Sequence, residues 1–502
     1  MVIRDLGHAP QFVALNQVAE RDRQVTPKRS VMIASGCEVS QPTSISADDS
    51  SAAGLLARLE RLPVSRIVTW ARMVVGMATF FDGYTTLAIA YALPILSKTW
   101  HLTPAAMGMI IASGYFGQLL GAVFFGWLAE RIGRLPVMAI TIAIFGAMSL
   151  ACIFSWDAQS LMIFRFVQGV GSGGEIPVAS AYVNEFVGAR NRGRFFLLYE
   201  LLFVIGLLFS GVVGYELVPI YGWKAMFMVG VVPVFLTIPL RFTLPESPRW
   251  LVGHGKLQKA AKVIVRLEQS LIRRGIELPA PVAIAIPAGA SLAVKAKVGA
   301  WRELFGRAYG GRTTMLWALW FGAYMVNNGL VTWLPTLYRT LFNVPLKVSL
   351  AYGLKMSCVG VVTSLICALT IDRVGRRRWY ICAFFLAVVP LSILWWKGAS
   401  SATVIFALAT CAYATLQTVA FSLFLYSAEL YPTRLRSVGA GLGSAWLRAG
   451  SMAGPAAIGL IVGTGHIALV FALFAVVSAS SGLVCLLWAP ETSGRVLEEM
   501  SP

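Results

Sequence analysis

Asp82 is the residue whose chemistry is least expected, because it stands in the apolar stretch FFDGYTTLAIA of residues 80–90. A carboxylate there is costly unless a cation balances it or its protonation is its function. For helices that begin near residues 68 and 160, Asp82 lies about 21 Å along the first and Arg165 about 8 Å along the second. Measured from opposite faces of a core about 30 Å thick, the two residues are at one level. We expect an Asp82–Arg165 pair, either for proton coupling or as a permanent structural ion pair.

Two further acids, Glu175 and Glu200, lie in apolar segments of the same part of the chain. Either could be a second proton site or a structural partner for arginines. We retain Glu175 beside Asp82 and Arg165 as a candidate for proton coupling. For Glu200 we expect a structural role.

Arg448 lies about 11 residues from one end of another apolar segment, which places it near the middle of a membrane. An unpaired guanidinium there is very costly, and its planar fork suits a carboxylate bidentately. It could bind the acid group of a substrate, or it could pair with an acid elsewhere in the protein. Lys355 is a weaker candidate because it lies within snorkelling reach of the membrane surface.

The stretch WFGAYMVNNGLVTWLPTLY of residues 320–338 carries aromatic and amide side chains. Tyr324, Asn327 and Asn328 are spaced to share one helix face, and such a face suits a small flat ring with a nitrogen or a hydroxyl. Trp333 is typical of an interfacial anchor, and aromatic side chains in apolar helices often serve packing. The predicted substrate contacts are Arg448, Tyr84, Gln118, Trp320, Tyr324, Asn327, Asn328, Tyr413, Gln417 and Trp446.

The composition indicates that these segments cross a membrane. Of 502 residues, 57% are hydrophobic and 13% are charged, and the mean hydropathy is +0.72. Soluble proteins are nearer half apolar and a quarter charged. Many stretches reach the roughly 20 residues that span a bilayer, and in lipid such a segment must be a helix. The predicted fold class is therefore an all-α membrane protein.

Twelve apolar segments can be marked along the chain. The first six cover roughly 68–95, 105–127, 136–155, 160–185, 195–218 and 223–243, and the second six cover roughly 313–338, 349–370, 379–396, 403–428, 437–462 and 467–488. The predicted domains are a disordered tail (1–57), a six-helix bundle (58–243), a linker with short helices (244–312), a second six-helix bundle (313–490) and a C-terminal tail (491–502).

Lysine and arginine concentrate in alternate connections between the segments. By the positive-inside rule, both termini and the central linker are then cytoplasmic. This placement accounts for much of the net charge of +19 without a nucleic-acid partner. We expect a multi-pass protein of the inner (plasma) membrane.

Short motifs repeat in the two halves at nearly one offset. The pairs are AERIGR (129–134) with IDRVGR (371–376), NEF and RNRGR (184–194) with AEL and TRLRS (428–437), and PESPR (245–249) with PETSGR (490–495). Each motif falls at the same end of a corresponding segment. The repeats predict two parallel-related six-helix halves, an arrangement of secondary transporters.

The charged residues of these motifs predict a network of ion pairs, and Gly126 is expected to allow close helix contact. Such a network would hold an outward-facing state, and breaking it would open the inside. The predicted gating residues are Gly126, Glu130, Arg131, Gly133, Arg134, Glu185 and Arg192 in the first half and Asp372, Arg373, Gly375, Arg376, Glu429 and Arg434 in the second.

The stretch GVGSGG of residues 169–174 matches a dinucleotide-loop pattern only in its letters. No strand precedes it and it lies inside an apolar segment, so its context excludes nucleotide binding. Close packing of helices through small residues explains it. The four histidines are scattered and no cysteine pair has metal spacing, so we expect no metal, no cofactor and no catalytic residues.

GWLAERIGR (126–134), IDRVGRRR (371–378), RFVQGVGSGGE (165–175), PESPRWL (245–251) and PETSGRVLEE (490–499) resemble signatures of the major facilitator superfamily. Within it, GGEIPVASAYVNEF (173–186) and NGLVTWLP (328–335) are similar to bacterial carriers of aromatic acids, with nicotinate carriers the closest. The resemblance covers about residues 58–500. It implies the twelve-helix fold and a monomer. Such carriers often have a second acid three residues after the first, and here that position is Thr85.

Three classes of function compete on these observations. A proton-coupled carrier needs two repeats, buried charge and cytoplasmic ion pairs, and the sequence has all three. An enzyme would need a catalytic constellation, whereas a sensor of the same fold stays open as an alternative. The cations favour an organic anion, and the resemblance implies a small aromatic or heteroaromatic carboxylate, nicotinate first. A porter of sugars, benzoates or other organic acids is the other carrier considered.

Overall fold

The computed structural model describes residues 51–186, 192–280, 303–306, 309–398, 401–431 and 433–492. Within these ranges, the regular structure is entirely helical, which confirms the predicted class. Within these ranges, the structure does not describe the side chains of residues 192–198, 241, 428, 433, 434, 436, 437 and 440. The predicted gating residues Arg192 and Arg434 therefore lie outside the residues whose side chains are described.

The helices follow the order of the predicted segments. Their bounds are α1 Ala52–Glu60, α2 Arg66–Thr99, α3 Pro104–Ile132, α4 Arg134–Ile153, α5 Ala158–Glu185, α6 Arg192–Tyr221, α7 Lys224–Val229, α8 Thr237–Thr243, α9 Pro248–Gly253, α10 Leu257–Ile272, α11 Gly310–Leu341, α12 Leu346–Val374, α13 Arg376–Lys397, α14 Ala402–Leu430, α15 Thr433–Gly463 and α16 Ala468–Trp488. Nine of the described helices are long and apolar enough to cross a membrane. The polar α5 and α11 are also long, with 28 and 32 residues.

The predicted sixth segment, residues 223–243, is not one helix. The chain forms α7, then a 3₁₀ turn at Val232–Leu236, and then α8. Pro233 is the second residue of this turn. It lacks the N–H that a continuous α-helix would use, and its ring would clash with the preceding turn. Apolar composition predicted the crossing here but not its interruption.

The predicted disordered tail, residues 1–57, is wrong over its last residues, since Ala52–Glu60 form α1; residues 1–50 lie outside the described ranges. The Ser51 side chain accepts a hydrogen bond from the Gly54 N–H and caps this helix. Arg58 donates to Glu268 of α10, so α1 is attached to the helices of the linker. Burial opposes ionisation of Glu268, but the hydrogen bonds from its arginine partners lower its pKa below the ordinary value.

The glycines of GVGSGG bring α5 against α3. A Cβ atom added to Gly169 would lie 2.0 Å from the carbonyl oxygen of Gly114, and one added to Gly173 would lie 2.1 Å from that of Gln118. From the α3 side, a Cβ on Gly121 would lie 2.0 Å from the carbonyl oxygen of Val170. The predicted close packing through small residues is confirmed.

Helices of the two halves also contact each other. We call the end of the bundle that carries Arg134 and Arg376 the arginine-rich end, and the opposite end, where α3 begins and α15 finishes, the far end. A Cβ on Gly108 would lie 2.9 Å from the carbonyl oxygen of Pro455, and one on Gly459 would lie 2.7 Å from that of Pro104. The first and second halves are therefore tightly packed at the far end.

Gly121→Ala is expected to destabilise the protein, because the added methyl would meet backbone that cannot move without separating α3 from α5. Overpacking of this kind costs about 1–3 kcal/mol or more. Gly126→Ala is the matched control in the same helix, since a Cβ there meets nothing within 4 Å. An alanine in place of glycine inside a helix is expected to gain about 0.5–1 kcal/mol. Thermal unfolding of the two purified variants checks this, and equal melting temperatures would contradict the packing.

Candidate functional site

A cavity of about 760 Å³, counting the part that opens to solvent, lies among the spanning helices. Both halves of the chain line it. Seven predicted site residues are among its lining, namely Asp82, Gln118, Tyr324, Asn327, Asn328, Gln417 and Arg448. The residues that sequence reasoning did not assign to a site are Thr86, Tyr115, Ile176, Glu200, Phe203, Val204, Leu207, Ala420, Phe421, Phe424, Leu447 and Ser451.

Arg448 is buried at this cavity, with 2% of its surface exposed. Its Nη1 donates to the carbonyl oxygen of Ser444 at 3.0 Å and to the Ser444 hydroxyl. Its Nη2 donates to the carbonyl oxygen of Gly173 at 3.1 Å, so it joins α15 to α5. Its Nε has no hydrogen-bond partner among the described residues. The guanidinium therefore has donor capacity left for an anion in the cavity.

The predicted Asp82–Arg165 ion pair is wrong for this structure. The Asp82 carboxylate accepts a hydrogen bond from the Ser172 hydroxyl. Arg165 donates instead to the carbonyl oxygen of Thr85 at 3.2 Å and to Oε1 of Gln168 at 2.8 Å. The cation whose charge acts on Asp82 is Arg448. The rise per residue places Asp82 and Arg165 at one depth, but it does not fix the direction of either side chain around its helix.

Glu175 and Glu200 have different surroundings. Glu175 is fully buried and accepts a hydrogen bond from Thr79 at 2.9 Å, and the Thr79 hydroxyl also pairs with that of Tyr199. Glu200 lines the cavity, and its Oε1 has no hydrogen-bond partner among the described residues. The expected structural role for Glu200 therefore has no ion pair to support it here. Its position as the one acid on an apolar face of α6 was the signal in the sequence.

The amides of α11 are hydrogen-bonded across the second half. Asn327 Nδ2 donates to Oε1 of Gln417 at 2.8 Å, and Asn328 Nδ2 donates to the Ser451 hydroxyl at 2.6 Å. The Tyr324 hydroxyl donates to a backbone carbonyl of α14 at 3.3 Å. Their spacing in the sequence predicted the shared cavity face correctly. The hydrogen bonds fix these side chains as walls of the cavity.

Two predicted substrate contacts, Trp320 and Tyr84, are buried beside the cavity and do not line it. Trp320 Nε1 donates to the Ser427 hydroxyl at 3.1 Å, and the Tyr84 hydroxyl donates to the carbonyl oxygen of Met226 at 2.7 Å. Both polar groups are thus used inside the protein. Their predicted contact with a substrate is wrong for this structure, because each ring fills space between helices.

Tyr413 and Trp446 are also outside the lining. Tyr413 is buried, and a Cβ on Gly360 would lie 2.7 Å from its hydroxyl oxygen. Trp446 is 38% exposed and stacks on Trp317 at 5.3 Å between ring centroids, on the outer surface of the bundle. The predicted substrate contact is wrong for both in this structure.

Trp333 departs from its expected character, whereas Lys355 keeps it. Trp333 is buried and donates from Nε1 to the carbonyl oxygen of Pro455 at 3.1 Å, so the expected interfacial anchor belongs to the packing of α11 against α15. Lys355 is exposed, with its Nζ 6.0 Å from the ring centroid of Tyr352. An exposed lysine agrees with the snorkelling position.

At the arginine-rich end, Arg134 pairs with Glu130 at 2.9 Å and with Glu185 at 3.0 Å. These bonds tie α3, α4 and α5 together within the first half. Arg131 does not join them, since its guanidinium lies 4.1 Å from the ring centroid of Trp127. An exposed arginine gains a cation–π contact from such a position.

The second half repeats this arrangement. Arg376 pairs with Asp372 at 2.6 Å and with Glu429 at 3.0 Å, and Arg373 is exposed. The repeated motifs therefore give equivalent contacts in the two halves. The ion pairs described for these motifs lie within one half and hold its helices together.

Gly133 and Gly375 have φ angles of +113° and +89°, which side chains other than glycine rarely adopt. Each glycine precedes a helix whose first two N–H groups donate to one carboxylate, Glu246 for α4 and Glu491 for α13, at 2.8–3.3 Å. A Cβ on either glycine would lie 2.5–2.6 Å from that carboxylate. Sequence reasoning paired the PES and PET motifs as repeats but missed this capping role.

The expected close helix contact at Gly126 is wrong, because a Cβ added there would meet nothing within 4 Å. The approach of α3 to α5 occurs instead through Gly117 and Gly121, on another face of the same helix.

Comparisons with known proteins give consistent matches. A family model described as "Sugar (and other) transporter" matches residues 69–502. The niacin transporter NiaP of Acinetobacter baylyi is 32% identical over 449 residues, which is 89% of this chain and 99% of that protein. The 4-hydroxybenzoate transporter PcaK of the same organism is 28% identical, over 76% of this chain and 82% of its own.

The fold also matches a solved structure. The proton:xylose symporter XylE of the major facilitator superfamily superimposes with a TM-score of 0.67 at 18% identity, covering 86% of this chain and 98% of that one. At this identity, the likeness concerns the fold alone. It confirms the predicted twelve-helix architecture.

Proposed function

The chain belongs to the sugar (and other) transporter family of the major facilitator superfamily, and from this premise we propose that it takes up a small aromatic or heteroaromatic carboxylate, nicotinate first, by proton symport. Members of this family are membrane transporters and not enzymes. The observation that carries the proposal is Arg448, a buried guanidinium with an unused Nε at a cavity walled by aromatic rings. Such a group binds a carboxylate bidentately, while the rings pack against a flat ligand.

The relatives support this class of cargo. One is named for niacin and another for 4-hydroxybenzoate, and both names describe aromatic rings that carry a carboxylate. The cavity offers what such ligands share, a cation for the acid group and apolar walls such as Phe421 and Phe424. A sugar would instead need many hydrogen-bonding groups, and the amides of Asn327 and Asn328 are already bonded to protein.

The charges at the cavity support coupling to protons. Asp82 and Glu200 line it together with Arg448. If both acids were ionised, a carboxylate cargo would raise the negative groups to three against one cation, and uncompensated charge in a membrane is costly. Protons bound by the acids remove this excess. We therefore assign proton coupling to Asp82, through its interaction with Arg448. Glu175 is the second candidate for this role.

Alternating access supplies the movement in this proposal. The two halves pack together at the far end, and the motifs of the arginine-rich end hold each half as a rigid body. With lysine and arginine cytoplasmic, the far end faces outward and both termini lie inside. The protein then acts as a monomer in the inner membrane, and the motif residues act as gating residues by positioning the helix ends.

Proteoliposomes with an inward proton gradient are expected to accumulate labelled nicotinate against its concentration gradient. A protonophore is expected to abolish the accumulation, because the proton gradient supplies the energy. Vesicles without protein control for diffusion of the neutral acid. Uptake of benzoate but not nicotinate would make benzoate the assigned substrate within the class of aromatic carboxylates. Uptake of neither would refute the proposed cargo.

Arg448→Gln is expected to weaken nicotinate binding about 10- to 100-fold, the value of one or two charge-assisted hydrogen bonds. Trp446→Leu is the matched control two residues earlier on α15, because Trp446 faces away from the cavity. The dissociation constants of both variants, measured by calorimetry on purified protein, test this. A loss of affinity in Trp446→Leu but not in Arg448→Gln would contradict the site.

Asp82→Asn is expected to abolish uphill uptake while leaving exchange of labelled for unlabelled nicotinate, since the amide keeps the shape but binds no proton. Asp157→Asn is the control, because Asp157 caps α5 outside the cavity and asparagine caps a helix about as well. Proton-dependent accumulation by Asp82→Asn would refute its role in coupling.

A further inference from the structure

Glu200 is a buried acid for which no hydrogen bond is seen among the described residues. It lies on a face of α6 whose other cavity residues, Phe203, Val204 and Leu207, are apolar and follow it at helical spacing. It is 7% exposed, and its Oε1 has no partner among the described residues. Buried polar groups are almost always hydrogen-bonded, so an unpartnered carboxyl on a cavity wall indicates a partner that occupies the cavity.

Several other polar side chains of the cavity already donate a hydrogen bond within the protein. The side-chain amides of Asn327 and Asn328 and the hydroxyl of Tyr324 each donate to an acceptor of the protein. The ring nitrogen of a pyridine is an acceptor and requires a donor. A protonated Glu200 is such a donor, and the hydroxyl of Tyr115, which also lacks a partner among the described residues, is the competing one.

Glu200 and Arg448 are placed to act on one ligand. Both line the same cavity, and Tyr324 lines it with them. A ring held at Arg448 by its carboxylate therefore lies in the cavity that Glu200 also borders. The two groups differ in chemistry, one for the acid of the ligand and one for an acceptor on its ring.

We propose that Glu200 selects a pyridine ring, by sharing one proton with the ring nitrogen of a nicotinate whose carboxylate is bound by Arg448. This inference rests on the proposed function and adds the residue that distinguishes nicotinate from benzoate. When the ring nitrogen is unprotonated, Glu200 takes a proton from solution and donates a hydrogen bond. When the ring arrives protonated, its N–H donates to the ionised Glu200. In both cases one proton is shared between Glu200 and the ring nitrogen of the bound ligand.

The test compares nicotinate with benzoate, which has a C–H in place of the ring nitrogen. Dissociation constants for both are measured by calorimetry on the purified full chain, for the native protein, Glu200→Met and Glu200→Gln. Glu200→Met is expected to weaken nicotinate roughly 10- to 100-fold, because the nitrogen loses its donor in a buried site. Benzoate is expected to bind unchanged or tighter. Glu200→Gln keeps an N–H donor and is expected to retain most of the preference for nicotinate.

Four results would overturn the inference. An equal loss of both ligands in Glu200→Met and Glu200→Gln would indicate a structural role. A preference that survives in Glu200→Met but disappears in Tyr115→Phe would assign the ring nitrogen to Tyr115. A native protein that binds benzoate at least as tightly as nicotinate would show that no group selects the nitrogen. A native protein that binds neither ligand would refute the proposed function itself, and this inference with it.

Discussion

A guanidinium buried among membrane helices must have each of its donors accounted for, and this requirement organises the centre of the molecule. Arg448 uses the backbone and hydroxyl of Ser444 on its own helix and the carbonyl oxygen of Gly173 on the other half. Of its five N–H groups, two remain, the one on Nε and a second one on Nη2, and a carboxylate can engage these two atoms together. An anion that binds there meets a group already bonded to both halves. Binding at one residue can therefore alter the contact between the halves directly.

Asp82 interacts with this cation, whereas Arg165, the other buried arginine of the centre, has partners of its own. Asp82 accepts a hydrogen bond from Ser172 and interacts with the charge of Arg448, whereas Arg165 donates to Gln168 and to the carbonyl oxygen of Thr85. A proton on Asp82 thus changes the field at the proposed ligand cation and not an ion pair deeper in the first half. Coulomb interactions are strong in such surroundings because little water screens them. The proposed coupling between proton and anion then needs no relay beyond this one pair.

The architecture and the depth of the site could be predicted from the sequence. The direction of each side chain around its helix axis could not. The repeated motifs and the small residues of GVGSGG predicted helices and their packing, because both signals survive as spacing along the chain. Trp446 and Arg448 show the limit. They differ by two residues, about 3 Å in depth but about 200° around the axis, so one faces the outer surface and the other the cavity. Without a reference for rotation, depth alone could not separate them or predict the partner of Asp82.

The contacts between the two halves differ in chemistry from the contacts within each half. This difference decides which contacts can change during transport. The ion pairs and capped helix ends of the arginine-rich end lie within one half, where Glu185 and Glu429 each hold the neighbouring helices. The described contacts between halves at the far end include those of glycines with backbone carbonyls, at Gly108 and Gly459. Such contacts contain no ion pair that must be broken in lipid. The proposed alternating-access movement can therefore separate the two halves at the far end at a modest cost in free energy. Each half keeps its ion pairs intact.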